Sequence, residues 1–186
     1  TGLTLLVVLA LRALLIPGGR FQASSQWMAV PGFALSALVQ AGALTDHAEN
    51  KITDALWRAQ SLGTPATWYI GLTTDACTDT GNGTEPAGNA YARVAVTASL
   101  ANWAGTQSAG STVASSGTGG TTSNNNAITY PAPTANWGSV VSFRIWDASS
   151  SGNAWLCQTL TASKTINNGD SAPVFNAGSL TIQVDN

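Results

Sequence analysis

Charge is scarce in this sequence. Only 9% of its 186 residues are Asp, Glu, Lys or Arg, against about 25% in an ordinary soluble domain. Charge-rich disorder is excluded, because such chains are also poor in apolar residues, and 44% of this chain is hydrophobic. Seven basic residues against nine acidic ones leave no electrostatic footprint for nucleic acid. A single histidine, His47, rules out a histidine-built metal site. Two cysteines, Cys77 and Cys157, are too few for a disulfide scaffold or a four-cysteine zinc site. They can bond to each other only where the fold brings their Cα atoms within about 7 Å. Two free thiols are the default expectation, and the pairing stays open at this level. Long apolar runs are missing but for one: LTLLVVLALRALLI (3–16) has 14 residues and is broken by Arg12. A membrane-spanning helix needs about 20, and a signal peptide needs a basic segment in front. No membrane span is expected, and the stretch stands as an oddity.

Neutral polar residues take the place of charge: 23 Thr and 19 Gly stand against 2 Lys. Threonine favours strands and glycine favours tight turns, so the composition leans to β. Three regions follow. Residues 1–44 are apolar, with Arg12 and Arg20 as their only charges and breaks at Pro17-Gly18-Gly19 and Pro31-Gly32; they read as an N-terminal extension or assembly arm. Residues 45–63 read as a helix. Asp46 and Glu49 have capping-box spacing, and Ala48, Ile52, Leu56 and Ala59 recur at helical intervals beside Ala55. Asp54 and Arg58 make an i,i+4 pair, and Gly63 and Pro65 punctuate the end.

Residues 64–186 change to a period of two and read as a β-sandwich domain. TWYIGLT (67–73) has the continuous apolar character of a buried strand. In YARVAVTA (91–98), Val94 and Val96 oppose Arg93 and Thr97. In SVVSFRIWD (139–147), Val141, Phe143 and Ile145 share a face opposite Ser142 and Arg144. SLTIQVD (179–185) alternates most cleanly, with Leu180, Ile182 and Val184 inward. AWLCQTL (154–160), SKTIN (163–167) and NAITY (126–130) are further strands. Short strands separated by turn clusters indicate a sandwich or barrel. STVASSGTGGTTSNNN (111–126) is low in complexity and has no apolar period, so it reads as a long surface loop or interaction arm.

The chemistry-bearing residues are few. Asp75, Asp79, Asn82 and Glu85 offer oxygen ligands, but Cys77 falls where a calcium loop needs a ligand, so a solvated hairpin loop is expected. The six acids of 62–186 mostly fall in turns or at strand ends, where solvated carboxylates are the default. A glycosidase needs two of them about 5–10 Å apart across a cleft. No catalytic residue, cofactor or metal is expected. Seven tryptophans carry more information, because exposed indoles stack on sugar rings and anchor protein interfaces. Trp57 falls in the helix; Trp68, Trp146 and Trp155 fall in strands, where core packing is expected. Trp103 and Trp137 sit at loop–strand junctions and are the candidate contact residues, together with Asn124, Asn125 and Asn126 of the polar loop.

From Ala43 onward the chain resembles a family of small tailed-bacteriophage structural proteins described as tail fibre or tail fibre-like proteins. The resemblance lies in ALTDHAENKITDALWRAQ (43–60), TPATWYIGLTT (64–74) and TEPAGNAYARVAVTASLANWAGTQ (84–107). It continues through SSGTGGTTSNNNAITYPAPTANWGSVVSFRIWDASSSGNAW (115–155) and KTINNGDSAPVFNAGSLTIQVDN (164–186), leaving residues 1–42 outside. It implies a non-enzymatic virion protein that forms homo-oligomers, such as rings or trimers, and packs on neighbouring virion proteins. The expected fold is mainly β, an N-terminal helix followed by an antiparallel jelly-roll-like β-sandwich. The expected role is a tail fibre or tail-tip component located in the virion and touching the host surface, including its glycans. The alternatives are a capsid decoration protein and a carbohydrate-binding module on Trp103, Trp137 and the 111–126 loop. An appendage-borne glycan depolymerase is the least favoured reading.

Overall fold

The computed structural model describes residues 33–35, 43–87 and 90–184. The apolar run 3–16, the breaks at 17–19 and 31–32, Trp27 and Asp185 lie outside the described residues. Period-two sequence produces strands almost throughout: β1 (Phe33–Leu35), β2 (Ala43–Leu44), β3 (Thr67–Thr73), β4 (Val94–Thr97), β5 (Thr121–Ser123) and β6 (Ile128–Thr129). They are followed by β7 (Gly138–Trp146), β8 (Ala154–Ile166), β9 (Pro173–Phe175) and β10 (Thr181–Gln183), and one helix, α1 (Asp46–Trp57), lies between β2 and β3. The described residues are mainly β with one short helix near their N-terminal side. The largest sheet is antiparallel in the order β2-β8-β7-β3-β4. A second sheet runs β1-β9-β6, with β1 parallel to β9, and β10 pairs antiparallel with β5.

The core lies between these sheets. Cross-strand partners Ile70–Ile145 and Leu72–Phe143 put their side chains on one face of the large sheet, beside Leu156 and Leu160 of β8. Leu35, Ile128, Tyr130, Phe175 and Leu180 close the same cluster from the smaller sheets; Phe143 and Phe175 meet edge to face at 5.4 Å. The stretch 154–167, read as two strands, is one strand of 13 residues up to Ile166. The run 111–126 is mostly an exposed loop, but Thr121–Ser123 pairs with β10. In the partner strand Ile182 packs against the core, whereas Val184, expected inward, is exposed.

Two expected faces are corrected. In β7 the register shifts between Val140 and Ser142, so Val140, not Val141, enters the core. A bulge inserts one residue and reverses the alternation on either side of it. The opposite face, carrying Ser142 and Arg144, is also fully buried. Segment 74–87 lies over it: Arg144 donates to the carbonyls of Thr78 and Gly81 at 3.0 and 3.2 Å, and Ser142 Oγ reaches Asp75 O at 2.7 Å. Arg93, on the polar side of its strand pattern, sits 4.0 Å over the Trp146 ring and forks onto Glu85. Gly71 makes this layer possible, since a Cβ there would lie 2.6 Å from Trp146 and 2.9 Å from both Glu85 and Tyr91. Cys77 of the covering segment is bonded to Cys157 of β8, with Cα atoms 5.5 Å apart, so the default of two free thiols does not hold.

The helix starts one residue earlier than the Asp46 cap implies. Thr45 is the N-cap: its hydroxyl accepts from Ala48 N at 3.3 Å and donates to Ala154 O at 2.5 Å. Asp54 and Arg58 pair at 2.7 Å. The apolar stripe is a different matter. Only Ala48 is buried, while Leu56 and Trp57 are 68% and 82% exposed.

Two tyrosine hydroxyls satisfy the backbone of β3. Pairing with β4 stops at Ile70, and beyond it Tyr91 Oη accepts from Leu72 N and donates to Glu85 Oε1, each at 2.8 Å. Tyr130 donates to Ile70 O at 3.2 Å. Burial first, then Tyr130 and Glu85, raises the Tyr91 phenol far above its ordinary value; burial and Glu85 do the same to Tyr130. Both therefore stay neutral in the fold while the unfolded chain ionises them near pH 10. Their contribution is fully present below pH 10 and is lost as the pH climbs past it. About 2–3 kcal/mol should have gone by pH 11, each neutral phenol accounting for somewhat over 1. Urea midpoints measured at pH 8 and pH 11 test this, with Tyr91→Phe expected to flatten the decline.

Candidate interaction surfaces

At the α1 end of the core the two layers do not close. Trp68 enters from β3, and Trp155 from the start of β8, where the β7–β8 register shifts again between Ile145 and Trp146. Trp103 enters from the turn after β4. Leu44, Ile145, Leu156 and Ile182, with Thr122, complete a mainly apolar cleft of about 240 Å³. Trp68 and Trp155 meet edge to face at 5.4 Å, and His47 meets Trp155 edge to face at 5.2 Å. Trp155 is anchored by its polar end, donating from Nε1 to Asp147 Oδ2 at 3.3 Å. Asp147 also accepts from Asn153 N at 2.8 Å and Asn153 Nδ2 at 3.1 Å. Burial pushes the Asp147 carboxyl up, but the Asn153 bonds, Trp155 and His47 outweigh it and hold the carboxyl below its ordinary value. Three indoles are thus fixed around one opening.

The candidate contact residues separate. Trp103 is half-buried and walls the cleft. Trp137 is 4% exposed and belongs to the core, edge-on to Tyr91 at 5.2 Å. Asn124 is 1% exposed and works as a turn lock. It donates to Asn126 O and Asn176 O, both at 2.8 Å, and accepts from Leu180 N at 2.9 Å. Asn125 reaches Leu100 O and Ser111 O; Asn126 is exposed and holds Ala101 O and Asn102 Oδ1. The triplet ties the 99–102 and 176–180 turns together, leaving Asn126 as its exposed member. Trp68, Trp155 and the exposed pair Leu56–Trp57 were not singled out by sequence. For Trp57 a signal existed, since it falls outside the Ala48–Ile52–Leu56–Ala59 stripe; Leu56, inside that stripe, carried none.

The acidic loop does not gather a cation site. Asp75 accepts from Thr84 N and faces Arg144 at 3.9 Å, Asn82 bridges to Gly152 O and Ala154 N, and Glu85 is committed to Arg93. Among the described residues no three His, Cys, Asp or Glu side chains converge as metal ligands, and no helix is long and apolar enough to cross a membrane.

What the arrangement offers is surface for association. No curated protein matches the chain. A family model described as "Podophage GP4 fiber I protein gp80" matches residues 43–183, which include the helix, the large sheet and every wall of the cleft. The chain therefore belongs to this podophage fibre family and is a structural component of the phage virion.

Proposed function

We propose that the chain is a self-associating subunit of a tail fibre or tail tip, and that it presents its uncharged face to the host surface. The observation that carries this reading is apolar surface left open on a fibre-family fold: the indole-walled cleft, and Leu56 and Trp57 on the helix. A monomeric protein rarely leaves large apolar patches uncovered unless they bind something. Neighbouring virion proteins and further copies of the chain are the natural partners. A jelly-roll-like layering of the sheets belongs to the same reading, and catalysis does not.

Host contact is supported by the composition of one stretch of the chain. No charged residue occurs between Arg93 and Arg144. The exposed part of that stretch, 106–119, displays hydroxyls and amides, with Gln107 bonded to Ser111 and Ala114 O. Neutral hydroxyl- and amide-rich loops beside an aromatic residue such as Trp103 suit a glycan.

Cryo-electron microscopy of purified particles tests the assignment. Density for this fold on the tail, at low copy number, is the expected result. Density tiling the head would overturn it in favour of capsid decoration.

A further inference from the structure

We infer that Cys77 is the exchange point of a late-closing lock. Its thiol reacts with a low-molecular-weight disulfide once the particle has left the cell, and Cys157 then completes the bond that fastens segment 74–87 to β8. The inference rests on the chain's place in a phage virion and not on the self-association reading.

Two observations meet here. The cysteines are bonded to each other in the fold, and the family belongs to a phage particle, which is put together inside a bacterial cell. Cytosol keeps thiols reduced, and structural disulfides persist outside it. The chain is therefore a dithiol while it is made and a disulfide in the released particle.

The two sulfurs are not equivalent. Cys157 is 0% exposed and stands in the interior strand β8, with Ala43 of β2 and Arg144 of β7 as its register partners. Cys77 is partly exposed and lies between exposed Ala76 and Thr78. Access decides which thiol enters exchange, and Cys77 is the one that a reagent meets from solvent. Its thiolate attacks the small disulfide and releases one small thiol, leaving a mixed disulfide at Cys77. The Cys157 thiolate then attacks Cys77 Sγ and releases the second. The chain gives up two electrons and two protons, and the small disulfide becomes two thiols.

The second step is favoured because the fold brings its partners together without the bond. Arg144 holds the carbonyls of Thr78 and Gly81, Asp46 N donates to Asp79 O at 3.1 Å, and Asn82 holds Gly152 O and Ala154 N. With Cα atoms 5.5 Å apart, closure within the chain outruns attack by a second molecule of reagent. Closure makes the docking of segment 74–87 permanent in a particle that no cell maintains.

The test uses the full chain, first without any substitution. Reduced wild type is pulsed with N-ethylmaleimide and mapped by mass spectrometry. Cys77 should be alkylated at least about tenfold faster than Cys157, as exposure dictates. With oxidised glutathione as the probe, Cys157→Ser should accumulate glutathione on Cys77, while Cys77→Ser stays unmodified under the same conditions. Infected cells and released particles are then quenched with acid and alkylated. Both cysteines alkylated in the cell, and the Cys77–Cys157 peptide pair after release, are expected. Cys157 reacting as fast as Cys77 would overturn the exchange point. A bond already closed in the cell, or thiols still free in released particles, would overturn the late lock.

Discussion

Reduction of the Cys77–Cys157 bond should lower the free energy of unfolding by about 4 kcal/mol, the entropy that a crosslink enclosing a loop of this length removes from the unfolded chain. The two cysteines are 80 positions apart, which places the effect near the upper end for a single bridge. Against a total of about 5–15 kcal/mol for a domain, that is a large share. The bond also has a local task. Cys157 pairs in register with Arg144 on β7, and Cys77 belongs to the segment whose carbonyls receive the Arg144 guanidinium. Burial lowers the pKa of that guanidinium, with Asp75 acting in the opposite direction, so the covering segment supplies the acceptors the cation needs. Guanidinium chloride unfolding followed by tryptophan fluorescence, with and without reductant, measures the global effect. Hydrogen exchange should show amides 74–84 losing protection first while β7 keeps its own. A midpoint that reduction leaves in place would show that the covering segment stays docked without the bond and that the unfolded chain gains little freedom.

How much of this was legible depends on where the deciding contact lies in the chain. The continuous apolar run of 67–73 and the alternation in 139–147 were enough to locate β3 and β7, because both patterns are properties of the strand itself. The helix was legible for the same reason, although it ends at Trp57 and not at residue 63, and its cap belongs to Thr45, whose second bond goes to Ala154 O, 109 residues away. The polar face of β7 was not legible as buried. Ser142 and Arg144 alternate with apolar neighbours as solvent-facing residues do, and the return of segment 74–87, pinned by Cys77, covers them. The cleft was hidden by the same kind of distance. Trp68 and Trp155 look like core residues in strands, and they do pack there, Trp155 at 8% exposure and Trp68 against the core cluster. That they also line a cleft depends on the register shift at that end of the sheet. The family resemblance carried the functional class, which no local pattern could.

Trp137→Ala should cost about 3–5 kcal/mol, the range for deleting a large buried aromatic, and lower the melting temperature by roughly 10 °C for a domain of this size. Trp137 and Trp103 look alike in sequence, each standing where a loop meets a strand. Their surroundings differ. Trp137 is 4% exposed, packs edge-on against Tyr91 and donates its backbone N–H to Ile166 O at 2.9 Å. Removing its side chain empties space between the β7–β8 ladder and the tyrosine that caps β3, so the loss reaches the Tyr91–Glu85–Arg93 layer beyond it. Trp103 is half-buried at the rim of an open cleft, where solvent can fill the space left behind, and its removal should cost less than half as much. Thermal unfolding of the two variants separates these roles before any ligand is offered. A Trp137→Ala protein that melts with the wild type would mean that the indole is not a core residue, and would return it to the surface beside Trp103. If it melts early, weak glycan retention by that variant reports unfolding alone, and Trp103→Ala becomes the substitution that can speak about the host surface.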